Sequence, residues 1–207
     1  MASLYNLVRF IPVTDDPYLL KSRAEEFLKL IHEAKKEIGN IGSELIDNGG
    51  DVVITHSFSS AVLEVFASAK MKGRSFRVIL TESAPPDFEG GLALANELSA
   101  LGISYEVITD AQVGLFSKEA TLALVGADNV TRDGAVINKA GTYPPLALAC
   151  YDNSVPFYVA AESFKFHPEL NSGDVELVER PYARNGHRVR NILFDVTPPG
   201  STSGGES

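Results

Sequence analysis

A chain of 207 residues is long enough for one α/β domain with a proper core plus an appendage. Its 27 acids outnumber its 18 bases, and the formal charge of -9 repels a phosphate backbone, which argues against direct, nonspecific contact with nucleic acid. One cysteine excludes an intramolecular disulfide, no Cys/His spacing suits a metal, and neither a signal peptide nor a membrane-spanning run is seen, so a cytoplasmic protein without cofactor or membrane partner is expected.

Asp16-Pro17 is a helix start, with Asp as N-cap and Pro at the first helical position. Leu20, Ala24, Phe27, Leu28, Ile31, Ala34, Ile38, Ile41 and Leu45 then recur at three-to-four spacing, which predicts one long amphipathic helix that can bend near Gly39 and Gly42. Residues 1–15 are too few to cover its apolar stripe, so a partner or further helical chain upstream is expected to do so. From Asn48 onward, β-branched and aromatic runs alternate with helical patterns. Strands are predicted at 52–55, 76–80, 105–108, 122–125 and 157–160, and helices at 59–70, 90–101, 111–118 and 144–152. Thr109-Asp-Ala-Gln112 fits a capping box before the third of these helices. The alternation predicts an α/β fold, a mostly parallel sheet with helices on both faces. Residues 162–190 lose the pattern and read as an irregular arm before a last apolar run at 192–196. The expected organisation is a helical segment over 1–47, an α/β domain over 48–197 that includes the arm, and a small, polar, disordered tail over 198–207.

Polar groups follow every predicted strand: Thr55-His56-Ser57, Thr81-Glu82-Ser83, Asp110, Asp128 and Glu162-Ser163. Parallel topology sets those carboxyl ends side by side, so residues far apart in the chain converge on a candidate pocket. Each has a plainer alternative as the cap of the helix that follows. The densest stretch runs from Val125 to Thr142, where Gly126-Ala127 turns the backbone and places Asp128 beyond a buried strand. Arg132-Asp133-Gly134 makes a tight turn. Asn138, Lys139, Gly141 and Thr142 precede a helical run from Leu146, where a phosphate could meet a cation, a hydroxyl and the unpaired N–H groups of a helix start. A capped helix beside a solvated Lys is the alternative. Glu82, Asp110 and Asp128, if held close, would raise one another's pKa and could serve as acid and base. His56 is either a proton shuttle or a hydrogen-bonded structural histidine. Ser57 lacks a Gly-x-Ser-x-Gly elbow, Cys150 lies on an apolar helix face with Leu146, and no Gly-x-Gly-x-x-Gly or Walker-type loop occurs. A hydrolase, a reactive thiol and a nicotinamide or nucleotide-hydrolysing site therefore find no support.

Five motifs occur in order: Thr55-His-Ser-Phe-Ser-Ser60, Leu80-Thr-Glu-Ser83, Val125-Gly-Ala-Asp128, Asn138-Lys-Ala-Gly-Thr142 and Pro156-Phe-Tyr-Val-Ala-Ala-Glu-Ser-Phe-Lys-Phe166. Together they resemble the family that joins the alpha, beta and delta subunits of translation initiation factor 2B with methylthioribose-1-phosphate isomerase and ribose-1,5-bisphosphate isomerase. The resemblance runs from about Ser43 to Val196, and Ala161-Glu-Ser-Phe-Lys-Phe166 is most like the alpha subunit and its archaeal relatives. It implies a Rossmann-like domain preceded by a helical domain, most of which is absent, so that the long helix reads as the remnant of a truncated helical domain. It also implies a phosphorylated small molecule as ligand and assembly as a homodimer or larger oligomer, with itself or with related subunits. In the isomerases of this family a Cys after the first strand and an Asp after a later one carry catalysis, and an Arg helps to hold phosphate. Carried over, Asp128 takes the Asp position and Asn138 and Lys139 take substrate-contacting positions, but Ser57 stands at the Cys position and Ala84 at that of the Arg. The expected ligand site is therefore Thr55, His56, Ser57, Glu82, Asp128, Asn138, Lys139, Gly141 and Thr142, with Asp128 and Ser57 catalytic only in an isomerase. A non-catalytic binding subunit is expected, and an aldose-ketose sugar-phosphate isomerase is the rival reading.

Overall fold

A computed structural model describes residues 2–83 and 90–201. Ala84 and the tail beyond Ser201 lie outside the described residues. The chain opens with α1 (Ala2–Phe10), an element that the sequence pattern did not suggest. Next comes α2 (Pro17–Ser43), which starts as expected: the Asp16 carboxylate accepts the N–H groups of Tyr18 at 2.9 Å and Leu19 at 3.4 Å. It stops at Ser43, so Leu45 lies beyond it. Phe27 is covered by Phe10 and Phe164, with ring centroids 5.4 and 5.8 Å away, while Leu19, Leu20, Leu28, Leu30 and Ile41 stay exposed. Much of the apolar stripe is thus open. Gly39 and Gly42 serve a crossing rather than a bend. The helix is unbroken there, and a Cβ on Gly42 would lie 2.5 Å from Val65 Cγ2 in α3 (Ser60–Met71).

The remaining helices are α4 (Gly90–Ala100), α5 (Val113–Phe116) and α6 (Ala147–Asp152). In chain order the strands are β1 (Asp51–Thr55), β2 (Phe76–Thr81), β3 (Ser104–Ile108), β4 (Leu122–Gly126), β5 (Asn129–Val130), β6 (Val136–Lys139), β7 (Phe157–Ala160), β8 (Tyr182–Arg184), β9 (His187–Val189) and β10 (Phe194–Thr197). All the strands predicted from the sequence join one parallel sheet, ordered β3-β2-β1-β4-β7. Alternation along each strand decides which layer a side chain enters. Val53, Val78, Leu80, Leu122 and Leu124 pack with Phe66 of α3 and Leu94 and Leu98 of α4. Their neighbours Ile54, Ile79, Ala123 and Val125 pack on the other face with Val113 of α5 and with Leu146 and Cys150.

Two predicted helices are shorter and less regular than the pattern suggested. The third breaks into 3-10 turns at Asp110–Gln112 and Ser117–Glu119 around the four residues of α5, and Thr109 makes no side-chain cap bond, so the capping box is not formed. Gly114 weakens this stretch, and Ser117 Oγ bonds back to the Gly114 carbonyl. The fourth starts late: Thr142–Leu146 is a π-turn with Tyr143 in extended backbone, and Pro145 offers no N–H for a regular ladder.

A second sheet departs from the alternation altogether. Strands β5 and β6 form a hairpin around the turn predicted at Arg132-Asp133-Gly134, and β10 pairs antiparallel with β6, setting Asp195 opposite Asn138. Asn138 and Lys139 therefore stand on a strand rather than at the mouth of a helix. The arm carries 3-10 turns at Ser163–Lys165 and Ser172–Asp174 and the hairpin β8–β9. Helix α1 is fixed to the first of those turns, Asn6 donating to the carbonyls of Phe164 at 2.7 Å and Phe166 at 2.9 Å. Among the described residues, no helix is long and apolar enough to cross a membrane.

Candidate functional site at the strand ends

The strand order reverses between β1 and β4, and in open α/β sheets a ligand crevice lies at such a switch, outside the carboxyl ends of the strands. Two residues there are held in left-handed backbone without being glycine: Ser57 after β1, at φ 64°, and Ser83 after β2, at φ 46°. Each conformation costs about 1–2 kcal/mol, and strain of this kind gathers at ligand sites. Ser83 and Glu162 are each 2% exposed, yet Ser83 Oγ and Glu162 Oε2 find no hydrogen-bond partner among the described residues. A buried polar atom left unpaired costs about 1–3 kcal/mol, which a bound hydroxyl or N–H group would recover.

His56 has both ring nitrogens occupied. Nε2 lies 2.9 Å from the Ala140 carbonyl and Nδ1 lies 2.6 Å from Thr81 Oγ1. A carbonyl can only accept, so Nε2 carries the proton and Nδ1 accepts from the Thr81 hydroxyl. Burial lowers the pKa of the ring, against the raising pull of Asp110. These bonds favour the structural alternative over the shuttle. Gly141, at φ 113°, exists to let this ring in: a Cβ would fall 2.5 Å from His56 Cε1. Thr55, at the end of β1, is buried beside it.

The expected phosphate cradle is already filled. Asp195 Oδ2 accepts the backbone N–H groups of Gly141 at 2.7 Å and Tyr143 at 2.9 Å. Pairing of β10 with β6 drops this carboxylate onto the turn, so the N–H groups predicted to be free for a ligand hold the chain's own anion. Burial pushes the Asp195 pKa up to about 6 in spite of those bonds, and its Oδ1 has no hydrogen-bond partner among the described residues. The side chains beside it also satisfy one another, Asn138 Nδ2 donating to Thr142 Oγ1 at 3.1 Å and Thr142 Oγ1 to the Lys139 carbonyl at 2.8 Å.

Asp128 is half-buried just past β4. Burial raises its pKa, and Lys165 and then Lys139 oppose the rise. Neighbouring carboxylates are not the cause, contrary to the mutual effect expected of Glu82, Asp110 and Asp128. Asp110 instead accepts the Ser83 N–H at 2.8 Å, while the half-buried Glu82 is tied through its backbone to Ile108 and Gly91. Lys165 is a site residue that the sequence reading passed over. Its Nζ donates to the Ala127 carbonyl at 2.5 Å and stands 3.7 Å from Glu162 Oε2. The signal available for it was a Glu and a Lys three apart directly after a strand. Asp195 had no local signal, because its role depends on pairing between β10 and β6. Cys150 is buried among Leu146, Val155 and Phe157, where burial pushes its thiol up to about 12. Among the described residues, no group of His, Cys, Asp and Glu could hold a metal ion.

This architecture and crevice place the molecule among doubly wound α/β proteins that carry their polar groups at the carboxyl ends of a parallel sheet. More particularly, the chain belongs to the Initiation factor 2 subunit family, whose sequence pattern matches residues 10–203. It is 63% identical over 198 residues to an eIF-2B subunit 2-like translation initiation factor of Pyrococcus furiosus, a match covering 96% of this chain and 70% of that protein. It is 38% identical over 211 residues to a ribose 1,5-bisphosphate isomerase of Archaeoglobus fulgidus, covering 95% of this chain and 66% of that one. Its fold superposes on the crystal structure of the Pyrococcus horikoshii translation initiation factor eIF-2B with a TM-score of 0.94 at 60% identity, over 98% of this chain and 72% of that one.

Proposed function

We propose that the protein is a non-catalytic translation initiation factor 2B-like subunit of the cytoplasm that binds a phosphorylated sugar or nucleotide in the strand-end crevice and assembles with like subunits. The observation that carries the binding half is the pair of buried polar atoms without a hydrogen bond, Ser83 Oγ and Glu162 Oε2, at the same strand-end edge as the strained Ser57. Carboxylates and hydroxyls in this arrangement suit the hydroxyl groups of a sugar, and Lys139 and Lys165, which both act on Asp128, supply cations for a phosphate.

Chemistry is a different matter. By resemblance an isomerase needs a thiol where this chain has Ser57, and a serine hydroxyl does not ionise near neutral pH. Cys150 cannot stand in for it, being held in the core as a protonated thiol. The raised pKa of Asp128 favours the isomerase reading, since it suits a group that gives and takes a proton. Purified protein should show a thermal shift with at least one member of a panel of sugar phosphates and nucleoside monophosphates and no turnover of ribose 1,5-bisphosphate. No shift anywhere in the panel removes the binding reading, and sustained turnover replaces it with the isomerase.

A further inference from the structure

Three steps in the sequence join Asn or Asp to Gly: Asn48-Gly49, Asp133-Gly134 and Asn185-Gly186. Such a step carries its own chemistry, because glycine has no side chain to shield its nitrogen from the side-chain acyl carbon of the residue before it. The Gly nitrogen attacks Cγ of the Asn and a C–N bond forms. The side-chain nitrogen leaves as ammonia, taking the proton that the Gly nitrogen gave up. Water then opens the cyclic imide at either carbonyl, leaving aspartate or isoaspartate and one new negative charge. The peptide between the two residues has to rotate until nitrogen and Cγ meet, so the fold decides which step reacts.

Two of the steps are held. The Asp133 carboxylate accepts the Ser172 hydroxyl at 2.5 Å, the Thr131 hydroxyl at 2.6 Å and the Ser172 N–H at 3.0 Å, and those bonds hold its pKa down at about 2. An ionised carboxylate resists attack by nitrogen, and the Gly134 N–H is itself bonded to the Thr131 carbonyl at 3.0 Å. Asn185-Gly186 is the two-residue turn of the basic hairpin β8–β9, set between Arg184 and His187, which pair across it. Both turn residues are in left-handed backbone, at φ 51° and 79°, the geometry that matches the twist of the strands. Rotating their peptide would open the hairpin.

Asn48-Gly49 is under no such hold. It lies in the loop between α2 and β1, and residues 47–50 are exposed. The loop is fastened at its ends, the Asp47 N–H donating to Asp51 Oδ2 at 2.6 Å, with Asn48, Gly49 and Gly50 between. Among the described residues, neither the Asn48 side chain nor the Gly49 N–H has a hydrogen bond. A Cβ on Gly49 or Gly50 would meet nothing within 4 Å, so the peptide has room to rotate.

We propose that Asn48 is the chain's site of spontaneous deamidation, closing a cyclic imide with Gly49 while the fold protects Asn185 and Asp133. The product falls at a joint. Asp51 accepts both the Asp47 N–H and the Thr121 hydroxyl, the latter at 2.7 Å, and so ties the end of α2 to the starts of β1 and β4. A new carboxylate between Asp47 and Asp51 adds like charge there, and isoaspartate also lengthens the backbone of the fastened loop by one carbon.

Peptide mapping by mass spectrometry, on the full chain kept folded at mildly alkaline pH, tests it. Conversion should be at least about tenfold faster at Asn48 than at Asn185, because a closed turn must first open at a free-energy cost. In urea the two asparagines should react alike. Gly49→Ala should keep the melting transition, its Cβ having open space, and should slow conversion of Asn48 at least about tenfold by shielding the nitrogen. Conversion at Asn185 or Asp133 as fast as at Asn48 in the folded chain would overturn the inference. So would an Asn48 that reacts in urea and not in the folded chain, or one that Gly49→Ala leaves unslowed.

Discussion

Asp195 fixes the turn after β6 with a carboxylate whose pKa burial has pushed up to about 6. A carboxyl group with a folded pKa above its unfolded one favours folding in the protonated form. Its contribution to stability therefore grows as pH falls through about 6 and is lost as pH rises past it. Asp195→Asn keeps the shape and an acceptor for Gly141 and Tyr143 but cannot ionise. Urea midpoints should accordingly rise less between pH 7 and pH 5 in the variant than in the unmodified protein; equal rises would mean that the side chain does not titrate there. At the crevice, Lys165→Ala should weaken a bound sugar phosphate by about 1.5–3 kcal/mol, the usual value of a hydrogen bond to a charged group, and calorimetric titration would read it. An unchanged affinity would take Lys165 out of the site. Asp128 and His56 could be read from the sequence as strand-end residues, whereas Asn138 and Thr142 were read as preceding a helix and stand on and just after β6. The bonds of His56 and of the turn after β6 could not be read, since Thr81 and Ala140 reach the ring, and Asp195 reaches Gly141 and Tyr143, from distant parts of the chain that no local spacing encodes.

The elements themselves were legible where their signal was strong. Asp16-Pro17 announced α2 through a carboxylate beside a residue with no N–H, and the β-branched runs announced the five parallel strands. Hairpin β5–β6 was hidden because β5 is only Asn129–Val130, too short for alternation to register, and α1 because its nine residues show no cap to mark the start. The glycines of α2 misled, since the same residue that permits a bend also permits two helices to touch. This difference can be measured. Gly42→Ala places a Cβ 2.5 Å from Val65 Cγ2, on a branched side chain with no exposure, and the overpacking should cost about 1–3 kcal/mol in spite of the better helix propensity. Gly114→Ala in α5, where a Cβ meets nothing within 4 Å, should instead be neutral or stabilising by up to about 1 kcal/mol. Equal effects in chemical denaturation would remove the close crossing of α2 on α3 as the reason for Gly42.

For the molecule as a whole, the net charge of -9 predicts rejection of nucleic acid over most of the surface, but it concealed the basic hairpin, because an average says nothing about where charges sit. Family membership was legible from motifs in order, and the chain does belong to the Initiation factor 2 subunit family. The choice between binding and chemistry rests on Ser57 and on the buried Ser83 Oγ and Glu162 Oε2, which lack a hydrogen bond, at the same strand-end edge. Exchange of Ser57→Cys alone should create little turnover, because Ala84 stands where, by resemblance, the isomerases hold phosphate with an Arg. The most direct test is phosphorus NMR of ribose 1,5-bisphosphate mixed with the unmodified protein. The account predicts that the substrate resonances shift or broaden on binding while no product resonance grows. Product appearing at about 1 per second or faster, within the ordinary range of enzymes, would contradict it.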